Sequence, residues 1–139
     1  MALSTKTIDF INRKMAATHI YLQNYAGILE SEAKSNAPNY WKDRSSSAGA
    51  RAGIHSGLEK HSNSFTIYLA HSKEYGIFLE EGTKPHEIRP RNGKALFWTG
   101  ADHPVKKVKH PGTKERPLLK DTIDGNKDKL IKGVLKLWE

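Results

Sequence analysis

Along residues 5–35, positions suited to burial recur by threes and fours: Ile8, Ile11, Met15, Thr18, Leu22, Tyr25 and Leu29. That spacing lays them on one stripe of an α-helix. Phe10, Ala17, Ile20, Tyr21 and Ile28 are expected to widen the buried face. The stretch "SNAPNYWKDRSSSAGARAG", residues 35–53, breaks the period with serine, glycine and proline and reads as a long flexible loop or arm. Tyr40 and Trp41 stand inside it, and aromatics in a loop either pin it to the core or dock on a neighbour.

Two period-2 runs follow, "GIHSGLEK" and "SFTIYLA", separated by "HSNS". Ile54, Ser56 and Leu58 alternate with polar neighbours, as do Phe65, Ile67 and Leu69, so the pair predicts a β-hairpin. In "EYGIFLEEGTKPHEIRP" the residues Tyr75, Phe78 and Leu79 step by three and one, which predicts a short helix over 73–81. Gly82 stands where a left-handed cap would end it, and Pro85 and Pro90 exclude further helix. Residues 95–98 and 104–110 are read as two more strands, although Val105 and Val108 do not alternate strictly. Pro117 is suited to the first position of a last helix, with Leu119, Ile123, Leu130, Val134 and Leu137 as its apolar stripe. Gly125 and Gly133 are expected to weaken that helix by about 1 kcal/mol each against alanine. The order of elements predicts an α+β fold: an antiparallel sheet with a long N-terminal helix, a short middle helix and a C-terminal helix.

Length adds one bound. At 139 residues the chain is expected to form a single domain, 1–139, with 35–53 as a loop within it. It contains no cysteine, which removes disulfide frameworks and thiolate metal sites. Apolar runs are too short for a membrane span, and "MALSTKTIDF" has no apolar signal region. A soluble protein, assembled in the cytoplasm and without membrane contact, is expected.

Charge changes the picture more. The net charge is +8, and it is uneven. Residues 83–116 carry nine lysines and arginines against Glu87, Asp102 and Glu115, so this segment alone is +6. Such a field favours polyanions. Arg89, Arg91, Lys94, Lys106, Lys107 and Lys109 are candidate phosphate contacts, with Phe97 and Trp98 beside them for base stacking. A basic DNA-binding module without catalysis is therefore one functional reading.

Catalytic chemistry finds less support. The seven histidines are scattered and match no zinc spacing. A metal-dependent nuclease needs clustered carboxylates. The candidates are Glu80 and Glu81 beside Lys84, and Asp124 with Asp128 in the last helix, where charge suits an exposed face. No nucleophile elbow or phosphate-binding glycine loop occurs. No catalytic residue, metal ligand or cofactor is assigned.

Four segments, in order, carry a resemblance: "WKDRSSSAGARAGIH", "YGIFLEEGT", "PHEIRPRNGKALFW" and "VKHPGTKERPLL". Together they resemble the HK97 gene-product-ten family of tailed-phage neck and tail-completion proteins, over roughly residues 5–137. The resemblance implies a non-enzymatic virion protein. It implies a homo-oligomeric ring joining head to tail, with head-closure or portal-side and tail-tube proteins as neighbours. Tyr75, Gly76, Leu79, Glu80, Gly82 and Thr83 match the family's tyrosine–glycine and leucine–glutamate–glycine signature, and His110, Pro111, Gly112 and Thr113 its histidine–proline–glycine turn. Leu118 departs from the phenylalanine often found there. A ring subunit needs two different surfaces that meet head to tail. The helix bearing Tyr75, Phe78 and Leu79 is a candidate for one, and Tyr40–Trp41 for the other. The loop half of the stretch, residues 82–90, is expected to face a neighbouring subunit or DNA.

Overall fold

The computed structural model describes residues 2–41, 49–91, 93–98 and 100–139. The expected α+β architecture is present. Helix α1 (Thr5–Tyr40) is followed by a 3-10 turn (Ala50–Gly53), strands β1 (Ile54–Lys60) and β2 (Phe65–His71), helix α2 (Gly76–Glu81), strands β3 (His86–Ile88) and β4 (Val108–His110), and helix α3 (Leu118–Leu137). Among the described residues there are two antiparallel strand pairs, β1–β2 and β3–β4, rather than one continuous sheet.

Helix α1 begins at Ser4, whose hydroxyl accepts the Thr7 amide at 3.2 Å as an N-cap. Its buried stripe is Thr18, Leu22, Tyr25, Ala26, Leu29, Ala33 and Ala37, and Trp41 continues it. Two expectations are corrected. The helix does not stop near residue 35; it runs through Pro38 to Tyr40, and the Trp41 amide closes the last turn on the Ala37 carbonyl. The buried every-fourth series Leu29–Ala33–Ala37–Trp41 outweighs the one amide hydrogen bond that proline removes. Residues 42–48, which hold the rest of the expected loop, lie outside the described residues. Phe10, Ile20 and Ile28 are exposed rather than buried, because the hairpin and α3 cover only the other side of α1.

The β1–β2 hairpin forms in the expected place, with Ser56 opposite Leu69 and Leu58 opposite Ile67. Ile54 and Leu69 are buried toward α1, and Phe65 stacks on His19 of that helix at 5.7 Å. On the opposite face Tyr68 covers Gly57, its cross-strand partner.

The later strands differ from expectation. Residues 95–98 form no strand, only a bridge between Leu96 and Val105, while His86–Ile88, read as irregular, pairs with Val108–His110. The Thr83–Thr113 bridge continues the register of β3–β4, so residues 83–88 and 108–113 make one ribbon. The register then shifts before the Leu96–Val105 bridge. That shift explains why Val105 and Val108 are out of alternation: each belongs to a different pairing.

Helix α3 starts one residue after Pro117 and runs antiparallel to α1. Its inward stripe is Leu118, Thr122 and Asn126, with Leu130, Val134 and Leu137 half-buried. Ile123, expected inside, is exposed. Polar groups join the two helices along their length. Tyr25 donates to Asn126 Oδ1 at 2.9 Å, and Asn126 Nδ2 donates to Glu32 at 2.7 Å and to the Thr122 carbonyl at 2.8 Å. Trp138 Nε1 donates to Thr18 Oγ1 at 2.9 Å, and Lys14 Nζ reaches the Leu137 carbonyl at 2.6 Å. Burial, then the neighbouring Tyr21 and Glu32, push the Tyr25 phenol above its ordinary pKa, so it stays a donor.

The two glycines of α3 differ in surroundings. Nothing lies near Gly125, but the Tyr21 ring rests on Gly133, where a methyl group would meet it. Gly125→Ala should therefore raise stability by about 1 kcal/mol, the helix-propensity difference. Gly133→Ala should give no gain or a loss, because the same preference is opposed by displacement of Tyr21. Urea unfolding of the two variants side by side checks the contrast.

Candidate functional site

Trp41, α2, the base of the ribbon and the start of α3 meet at one corner. Trp41 is 2% exposed. Its indole N–H donates to the Arg116 carbonyl at 3.1 Å, and its ring meets His71 edge-on with centroids 5.5 Å apart. Ala33, Ala37, Ile54, Leu69 and Leu118 complete the cluster, with Tyr40 and Leu79 packed against it. Of the two outcomes open to these aromatics, Trp41 takes the first: it pins the chain to its own core. Tyr40 lies at the surface, where its hydroxyl donates to Asp121 Oδ2 at 2.7 Å.

His71 orders the next layer. Its Nε2 lies 2.6 Å from the Ala50 carbonyl and donates to it, while Nδ1 accepts the Lys73 amide at 3.1 Å. The imidazole fills the space that a side chain at Gly53 or Gly76 would need. Gly76 is thus required by close packing at the start of α2, and it is buried. The helix begins there rather than at Lys73, because residues 73–76 form a turn closed by the Gly76 amide on the Lys73 carbonyl.

Glu80 has a structural partner. Pro117 offers α3 no side-chain cap, and Glu80 Oε1 accepts the Leu119 amide at 2.7 Å, capping α3 from outside. Burial raises the Glu80 carboxyl above its usual pKa, against the pull of the first amides of α3, and nearby Asp121 adds to the rise. Gly82 then ends α2 with φ +73° and ψ −177°, an extended left-hand region open almost only to glycine. A side chain there would also strike the Thr113 carbonyl. Gly112, at φ +83°, faces the Thr83 carbonyl in the same way. Between them Thr83 and Thr113 exchange backbone hydrogen bonds at 3.0 Å, and their hydroxyls meet at 3.0 Å. His110 Nδ1 accepts the Gly112 amide at 3.0 Å, fixing the turn around Pro111.

Gly76, Leu79, Glu80, Gly82, Thr83, His110, Gly112 and Thr113 therefore brace a single corner. The exposed side chains nearby are others. Tyr75 just before α2, Ile77 and Phe78 of α2, and Ile88 of β3 stand open. Between α2 and the ribbon lies a groove of about 350 Å³ with Tyr75, Phe78, Leu79 and Ile88 on its apolar side. The stacked pair His86–His110, 4.9 Å apart, also lines it, with Lys114 and Arg116. Ile77 and Ile88 escaped the sequence reading; the only available signal was an apolar residue on the charged side of a short helix and another in a three-residue strand.

The remaining candidates separate from this corner. Arg89, Arg91, Lys94, Lys106, Lys107 and Lys109 are exposed on the ribbon and its far end. Asp124 and Asp128 are exposed on α3. Among the described residues no three histidine, aspartate or glutamate side chains converge to hold a metal ion, and no helix is long and apolar enough to cross a membrane. No family model, curated protein or solved structure matches the chain.

Two substitutions test the corner. Gly82→Ala should cost about 1–3 kcal/mol of stability, the range for a strained backbone, read from urea unfolding. For Glu80 the sign follows from its raised pKa. The folded state holds this proton more tightly than the unfolded chain, so the contribution is full below the ordinary carboxylate range. It is lost as pH rises through the raised value. Glu80→Gln accepts the same amide without ionising. Unfolding measured from pH 4 to 7 should therefore show wild type losing stability relative to Glu80→Gln as pH rises.

Proposed function

We propose that this chain is a non-enzymatic structural protein that assembles into a homo-oligomeric ring, in the neck or tail-completion region of a tailed phage, where it joins head to tail. The observation that carries the self-assembly is the presence of two unlike apolar surfaces at opposite ends of the α1–α3 pair. One is the α2–ribbon groove, with the exposed Tyr75 and Phe78 on its wall. The other is the start of α1, where residues 2–10 are all exposed and Leu3, Ile8 and Phe10 lie bare.

The α3 helix of 20 residues separates them by roughly 30 Å at 1.5 Å per residue. Lys14 donates to the Leu137 and Glu139 carbonyls at the end of α3, and burial on α1 begins only at Ile11, so residues 2–10 lie uncovered. A few helical turns without tertiary packing are marginal in water. Exposed apolar area of this kind marks an interaction surface. Two different surfaces on one chain suit head-to-tail contacts, which close into rings when the rotation allows. The phage setting and the adjoining head-side and tail-tube partners rest on the resemblance of the four segments.

Native mass spectrometry and negative-stain microscopy of the purified chain test the reading. A closed ring of fixed subunit number is expected. Phe78→Asp, at an exposed position, should give monomers with unchanged circular dichroism. A wild-type chain that stays monomeric at high concentration, or that is missing from purified virions, would overturn it.

A further inference from the structure

The two faces of the β3–β4 ribbon are chemically different. His86, Ile88 and His110 turn toward the α2 groove. Glu87 and its cross-strand partner Lys109 lie on the other side. There Glu87 binds Arg89 Nε at 3.0 Å and Lys107 Nζ at 3.4 Å. The hydrogen bond from Arg89 holds the Glu87 carboxyl below its ordinary pKa, so it stays charged. One carboxylate thus serves two cations. Among the described residues, no carboxylate lies within ion-pair distance of Arg91, Lys94, Lys106 or Lys109. Uncompensated positive charge therefore lies on β4 at Lys109 and on both arms beyond the paired strands, at Arg91, Lys94 and Lys106.

At the far end the Leu96–Val105 bridge holds the two arms together. Next to it Phe97 and Trp98 are 67% and 49% exposed. Bare aromatics beside a line of cations are the parts of a surface that tracks a nucleic-acid backbone and stacks its bases. A two-stranded ribbon also has the width to enter a duplex major groove. An acidic protein would satisfy the cations but gives no reason for two exposed ring planes. An anionic membrane would call for a broader apolar face than two residues offer.

We propose that the β3–β4 ribbon and the described residues at its far end are a nucleic-acid-binding finger: their lysines and arginines contact phosphates without reading sequence, and Phe97 and Trp98 stack on unpaired bases. This does not depend on the ring reading, since a monomer can bind and a ring can assemble without binding.

The test uses the full chain with labelled single-stranded DNA of mixed sequence, duplex DNA, polyglutamate, and vesicles containing phosphatidylserine. Single strands should bind most tightly. With about four phosphates neutralised, affinity should fall by about two orders of magnitude between 50 and 200 mM salt. Lys94→Gln/Lys106→Gln/Lys109→Gln should weaken binding by roughly tenfold or more, as each lost phosphate contact removes one released counterion. The matched triple Lys129→Gln/Lys132→Gln/Lys136→Gln on α3 has the same net charge and should leave binding nearly unchanged. Phe97→Ala/Trp98→Ala should abolish the preference for single strands over duplex while keeping the salt dependence. Equal loss in both lysine triples overturns the proposal, because net charge alone would then explain binding. Polyglutamate or vesicles binding as tightly as single-stranded DNA overturns it too, in favour of an acidic protein or a membrane.

Discussion

One buried indole sets the geometry of this small molecule. Trp41 ends the long helix with an extended backbone, φ −121° and ψ 135°, and places its ring among residues from α1, β1, β2 and α3. Burying an indole is favourable only if its N–H keeps a partner, and the Arg116 carbonyl supplies it. That bond fixes where the chain enters α3. The Arg116 amide in turn donates to the Leu79 carbonyl at 3.1 Å, which fixes α2 against the same point. Ala33 and Ala37 make room for this packing: larger side chains on that face would hold the hairpin and α3 away from α1.

From that corner the α1–α3 pair is aligned by polar contacts rather than by a continuous greasy seam. Tyr40 with Asp121, Tyr25 and Glu32 with Asn126, and Thr18 with Trp138 recur from one end to the other. Apolar contact tolerates sliding and rotation of one helix on another. A buried Asn126 that donates twice and accepts once does not, since a shift would leave its amide unpaired at a cost of about 1–3 kcal/mol. Among the described residues no buried side-chain polar atom lacks a partner. The network therefore acts as a register lock on an otherwise thin interface.

This explains which parts of the structure were legible in the sequence. The hairpin and the body of α1 obey simple periods, so alternation and the three–four stripe located them. The inward face of α3 did not, because Thr122 and Asn126 occupy positions where periodicity expects apolar residues, while Ile123 sits at the edge of the interface, 38% exposed in a crevice with Leu29 and Ile67. The end of α1 was hidden by Pro38 and by the small side chains of Ala33 and Ala37, which carry little hydropathy. Strand β3 was invisible for a different reason: three exposed residues, His86 to Ile88, have no period to detect. Gly82 was legible because a positive φ has few occupants, although its ψ is extended rather than left-handed helical. At the corner, sequence reasoning found the right segments but not the division of labour. It could not separate Gly76, Glu80 and Thr83, which brace, from Ile77 and Phe78, which are displayed, since a six-residue helix turns by about 100° per residue and is too short to show which face is covered.

That division bears on the assembly proposal. The residues behind the phage resemblance, Gly76, Glu80, Gly82, Thr83 and the His110–Thr113 turn, hold α2, the ribbon and α3 at a fixed mutual angle. They specify how a surface is presented, not what it touches. The presented side chains, Tyr75, Ile77 and Phe78, sit at one end of a helix pair whose register is locked by hydrogen bonds. The bare turns of α1 sit at the other end. A ring closes only if successive copies repeat the same rotation, so small angular errors at each contact accumulate around the circle. Under the ring proposal, the braced corner and the polar lock serve the same requirement: they make the chain a rigid spacer between two contact surfaces. Mutations in the brace would then disturb ring closure more than contact formation, giving open or irregular oligomers where a change at Phe78 gives monomers.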